Sequence, residues 1–101
     1  MTQSYASFRE FYPFYLSEHR DRNCRRLHIV GSALGLVCLA GAIATANAWF
    51  IALGFVLGYA LAWVGHFAFE NNRPATFRHP LYSFMGDWMM FLDVLTGRIK
   101  L

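Results

Sequence analysis

Apolar and polar positions fall into long blocks along this chain. From Ile29 to Ala48 there are 20 residues without a charge, and from Trp49 to Phe69 another 21 in which His66 is the only group that ionises near neutral pH. A helix needs about 20 apolar residues to cross a hydrocarbon core, so each run is long enough. Thr45, Ala46 and Asn47 supply a short turn between them, and Trp49 stands where an interfacial ring would sit. The pattern predicts an all-α protein built on an antiparallel transmembrane hairpin, about 29–48 and 49–69.

The flanks have a different period. Phe8, Phe11, Tyr12, Tyr15 and Leu16 recur at the spacing of an amphipathic helix, with Pro13 predicted to kink it or divide it into two short interfacial pieces. After the polar breaker Asn71-Asn72-Arg73-Pro74, Pro80 opens a second amphipathic pattern through Leu81, Phe84, Met85, Trp88, Leu92 and Leu95. A helix over 81–96 is roughly 24 Å long, short for a crossing and interrupted by Asp87 and Asp93, so it is expected in the interface or against the hairpin.

Composition sharpens this picture. In 101 residues, enough for one domain over 1–101, 56% are hydrophobic, 18% aromatic and only 15% charged, which points to lipid. The net charge of +3 raises nucleic acid as a partner, but the basic residues border the apolar runs and no reading module accompanies them. Arg20, Arg22, Arg25 and Arg26 precede the first run and Arg73 and Arg78 follow the second, whereas the turn is uncharged. Both outer flanks should therefore face the cytoplasm, in the inner membrane if the source is bacterial. A secretory leader is the rival reading of the first run, because Ala46-Asn47-Ala48 looks like a cleavage site, but 28 residues make too long and aromatic a leader head. Two crossings cannot enclose a transport pathway alone, and a homo-oligomer is compatible with the sequence. Cys24 and Cys38 are not placed for a structural disulfide, and neither has a second cysteine at ligand spacing.

The candidate chemistry lies in four histidines, His19, His28, His66 and His79, none of them in the turn. Counted from a reversal near Asn47, His28 and His66 stand at heights of roughly 30 and 27 Å, on one level at the cytoplasmic side. Gly31 with Gly35, and Gly54 with Gly58, form GxxxG pairs that let two helices approach closely. On the second helix the series Gly54, Gly58, Ala62, His66, Glu70 leads from that seam to an imidazole and then a carboxylate on one face. Alone, His19 and His28 read as interfacial polar residues and His79 as a helix-start residue, whereas His66, an ionisable group near the end of a membrane-spanning run, calls for a partner; the convergence of all four on one membrane face points to a metal site. Several histidines with one carboxylate resemble the ligand set of non-haem Fe(II) oxygenases. Glu70 is the carboxylate expected to ligate the metal or orient a histidine. Arg20, Arg25, Arg26 and Arg73 are suited to drawing a carboxylate substrate to the surface.

Two stretches carry a family resemblance: Phe14-Tyr15-Leu16-Ser17-Glu18-His19-Arg20 with Asn23-Cys24-Arg25-Arg26-Leu27-His28 and Gly31, and Trp63-Val64-Gly65-His66-Phe67-Ala68-Phe69-Glu70 with Arg73-Pro74-Ala75. Together they resemble the small membrane family of the fungal 2-hydroxy fatty acid dioxygenase of phytosphingosine α-oxidation, over roughly Phe8 to Asp87. The resemblance implies an Fe(II)-dependent, O2-consuming shortening of a 2-hydroxy fatty acid by one carbon. It carries over to His19, His28 and His66 as metal ligands, with His79 in a less regular region as a fourth ligand or supporting group. A 2-hydroxy acid fits that chemistry, because it can chelate a metal through carboxylate and hydroxyl while its tail stays in lipid. Two alternatives stand beside this: a haem-binding electron-transfer protein using two histidines as axial ligands, and a small structural or assembly subunit.

Overall fold

The computed structural model describes residues 4–101, and these are all-helical, with no strand among them. The elements are α1 (Phe8–Ser17), α2 (Arg22–Thr45), α3 (Trp49–Val64) continued by a π-helical segment (Gly65–Glu70), a 3₁₀ turn (Ala75–Phe77) and α4 (Pro80–Leu95).

Local chemistry sets the boundaries. Ser7 caps α1 by accepting from the Glu10 N–H, and the Glu10 carboxylate reaches back to the Ala6 N–H. Asp21 caps α2 by accepting from the Asn23 and Cys24 N–H groups at 2.8 and 3.1 Å. The helix thus begins seven residues before the uncharged run and takes in three arginines, because hydropathy reports what tolerates lipid whereas the cap decides where hydrogen bonding starts. α2 ends where Ala46 turns left-handed at φ 55°, and the Asn47 side chain accepts from the Trp49 N–H to start α3. Pro80 occupies the first position of α4, where its missing N–H costs nothing.

The division expected at Pro13 is corrected: α1 is one helix through that residue. Proline forfeits a single bond here, to the carbonyl of exposed Arg9. The aromatic face that α1 buries, with Phe11 and Tyr15 wholly inside, outweighs that loss.

α2 and α3 form the expected hairpin, packed backbone to backbone. A methyl group added at Gly31 would lie 3.1 Å from the Gly58 carbonyl oxygen, one at Gly54 3.1 Å from Cys38 Cβ, and one at Gly65 3.0 Å from Cys24 Sγ. Both cysteines are free thiols. The two stretches Arg22–Thr45 and Trp49–Glu70 are long and apolar enough to cross a membrane, and only 22% of the apolar window in each is buried by the rest of the chain.

α4 packs on α1 and on α2. Phe11, Tyr15, Ala75 and Met90 make its core, with Phe8, Phe14 and Tyr82 around them. Gly86 lies against the Tyr15 ring, and a Cβ added there would stand 2.7 Å from a ring carbon. The Tyr12 hydroxyl ties the far end of the layer by donating to Asp93 at 2.6 Å. This docking brings the end of α1 and the middle of α4 against the mouth of the hairpin.

Candidate metal centre

Three segments each deliver one imidazole to that mouth. His19 lies in the link between α1 and α2, His28 nearly two turns into α2, and His66 in the π-helical segment, a conformation that often marks functional sites because it re-aims a side chain. The ring centroids are 4.5 Å apart for His19 and His28, 4.4 Å for His19 and His66, and 5.0 Å for His28 and His66, with planes close to perpendicular. One ligating nitrogen from each lies within 4.8 Å of the others, and all three side chains are buried.

The outer nitrogens decide what the inner ones can do. His19 Nδ1 lies 2.6 Å from the Tyr15 carbonyl and His28 Nδ1 2.9 Å from the Cys24 carbonyl. A carbonyl only accepts, so both Nδ1 atoms carry the proton. His66 Nδ1 lies 2.6 Å from Asn72 Oδ1. The Asn72 amide is oriented by its own nitrogen, which donates to the Glu18 carbonyl and carboxylate at 3.1 and 3.0 Å, so its oxygen faces the ring and accepts. All three Nε2 lone pairs are therefore free to ligate, the tautomer that outer partners impose on metal-binding histidines.

His19 Nε2 and His28 Nε2 are 3.1 Å apart, and neither has a proton to give the other. Facing lone pairs at that distance repel unless a cation lies between them. Two nitrogens bound at right angles to a divalent ion at about 2.1 Å would stand about 3.0 Å apart, so the group fits a metal. Burial, then the neighbouring imidazoles of His28 and His66, push the His19 pKa well below its ordinary value, which keeps it in the neutral, ligating form.

A carboxylate also reaches the centre, from α4. Asp87 Oδ1 lies 4.0 Å from His28 Nε2 and accepts a short hydrogen bond from the Tyr15 hydroxyl. Burial pushes the Asp87 carboxyl up to about 7, against the pull of the Tyr15 bond. The same Tyr15 ring stacks on His19 at 3.9 Å, so one residue positions both an imidazole and the acid.

The remaining sequence candidates are placed elsewhere. Glu70 accepts a short hydrogen bond from the Asp21 N–H, joining the end of the π-helical segment to the start of α2. His79 is not in the cluster. It precedes α4, and its ring packs against Tyr5, Phe11 and Phe14 at 5.3–6.4 Å. Arg25 is half-buried and its Nε donates to the His19 carbonyl at 2.6 Å, whereas Arg20, Arg26 and Arg73 are exposed. Asp87 and Asn72 were not singled out by the sequence, which offers Asp87 only as an acid among Met, Trp and Phe and Asn72 only as a breaker. An acid on so apolar a face is the signal that was there.

The donor set suits a first-row metal, since imidazole binds Zn, Cu, Fe and Ni. Three rings in mutual contact leave no room for a macrocycle between two of them, which removes the geometric basis of a haem site. No curated protein and no solved structure matches the chain. A family model described as 2-hydroxy-palmitic acid dioxygenase Mpo1-like matches residues 5–99, a span that holds all three histidines and Asp87, and the chain therefore belongs to the Mpo1-like family.

Proposed function

We propose that this protein is an Fe(II)-dependent dioxygenase of the membrane that shortens 2-hydroxy fatty acids by one carbon. The observation that carries the reading is the set of three buried Nε2 lone pairs converging on one point, with every Nδ1 already committed to an oxygen. The family description supplies the class of substrate and reaction.

His19, His28 and His66 would hold the iron, which supplies the one-electron chemistry that lets O2 react with a closed-shell acid. Three protein ligands leave positions for a chelating carboxylate and hydroxyl. Asp87, which lies beside His28, would take the proton that the substrate hydroxyl gives up, and Tyr15, whose hydroxyl donates to it, would orient it. Glu70 acts on position alone, by tying the His66 segment to the link that carries His19. The overall change balances with one O2: C1 leaves as carbon dioxide, C2 becomes the new carboxyl group, and water takes the remaining oxygen and two hydrogens. The two apolar spans support a reading in which this centre lies at the membrane boundary, and the basic flanks support one in which it faces the cytoplasm.

The test is anaerobic Fe(II) loading of the detergent-purified protein, followed by 2-hydroxypalmitate and O2. One iron per chain, equal consumption of acid and O2, and a product one carbon shorter are expected, with all three lost in His66→Ala. Stoichiometric iron uptake by His66→Ala, or no iron in the parent, defeats the assignment.

A further inference from the structure

The metal centre opens on one side into a long apolar cavity between α2, α3 and α4, with a volume of about 240 Å³. His28 and Asp87 stand at its head, and Leu39 and Ile51 at its foot near the hairpin turn. His28 and Leu39 are 11 residues apart on one helix, so the cavity runs for roughly 16 Å. Beyond its head the lining is apolar apart from Ser32 and the Tyr59 hydroxyl, and Leu36, Leu39, Ile51 and Phe55 are exposed along its open edge.

Its floor is made of glycines, and they are not equivalent. Gly31 and Gly54 are required by close contact, each at 3.1 Å from the opposite helix, but a Cβ added at Gly35 meets nothing within 4 Å. Packing therefore does not demand glycine at position 35, a residue that favours a helix less than alanine does. Gly35 lines the cavity, seven residues or roughly 10 Å below His28, so a side chain there would project into otherwise open space.

We propose that this cavity is the seat of the substrate's alkyl tail and that Gly35 sets how long a tail it admits; this rests on the dioxygenase reading above. An extended alkyl chain advances about 1.3 Å per carbon on C–C bonds of about 1.5 Å, so 16 Å takes about 12 carbons beyond the headgroup, and the first 10 Å about eight. The headgroup lies at His28 and Asp87, and the tail enters sideways from the bilayer through the open edge.

Two measurements test this. The first is the ratio of kcat/KM for 2-hydroxyoctanoate to that for 2-hydroxypalmitate, which should rise at least tenfold in Gly35→Leu and change less in Gly35→Ala. An unchanged ratio overturns the proposal. The second needs no variant: 2-hydroxypalmitate carrying a diazirine near its methyl end is photolysed on the parent protein, with labelling expected at Leu39 or Ile51 and suppressed by unlabelled 2-hydroxypalmitate. Labelling elsewhere, or labelling at these residues that the unlabelled acid does not displace, marks ordinary lipid contact and overturns it. Displaceable labelling without turnover keeps the tail site and defeats the catalytic reading, whereas turnover with labelling outside the cavity does the reverse.

Discussion

The two halves of this molecule bury their apolar residues in opposite ways. In the layer of α1 and α4, Phe11, Tyr15 and Met90 are all at 0% exposure, as in the core of a water-soluble domain. In the α2–α3 hairpin the contact is backbone on backbone through glycine, and large apolar side chains face outward, with Val37 66% and Ile43 76% exposed. The first half excludes water with its own side chains. The second leaves that surface for something else to cover, and lipid is the partner that matches it. The histidines stand on the border, His19 beside the layer and His28 and His66 in the hairpin, so the three-histidine cluster is complete only when the halves are docked.

The comparison breaks most readily at Met90. Met90→Ala removes a wholly buried side chain from the α1–α4 core, and a loss of about 2–5 kcal/mol is expected, read from denaturant unfolding in detergent through near-UV aromatic signals. Far-UV helicity of the hairpin should survive, because the glycine seam does not involve Met90. Simultaneous loss of both signals would mean that the halves are a single cooperative unit.

Val37→Lys sharpens the other side. At a site that exposed, lysine in water would be nearly neutral, within about 0.5 kcal/mol. Near the middle of a membrane span it costs about 2.5–3.5 kcal/mol of insertion free energy. A membrane-insertion assay of the whole chain should therefore show a marked drop for Val37→Lys and none for Val37→Leu. Equal insertion of both would remove lipid as the covering partner.

How far the sequence reveals this molecule follows the same division. The hairpin is written in uncharged runs and glycine spacing, both local, and counting residues from the turn set His28 and His66 at one level, where their rings are 5.0 Å apart. Asp21 marked the true start of α2, a capping signal that the hydropathy reading passed over. The layer is less legible, because its arrangement depends on where α4 docks. That docking carries Asp87 to His28 and leaves His79 among aromatic rings, and neither outcome is set by the residues around them in the sequence. Pro13 misled for a related reason: the cost of proline is local, whereas the burial of Phe11 and Tyr15 that offsets it is tertiary.

Asn72 joins the halves. Its amide nitrogen holds Glu18, in the turn that ends α1, while its oxygen holds His66 Nδ1, so it both docks the layer and fixes the tautomer of one imidazole. Removing such an outer partner typically weakens metal affinity by 10–100-fold, or about 1.4–2.7 kcal/mol. Asn72→Ala should show that loss in a spectroscopic Co(II) titration. Without the acceptor His66 is free to move its proton to Nε2, so the weakened site should keep two imidazoles and lose the third, with a changed Co(II) band shape as well as a weaker constant. A weaker constant with the parent band shape would instead mean that Asn72 only docks the halves, and that the π-helical backbone alone aims His66.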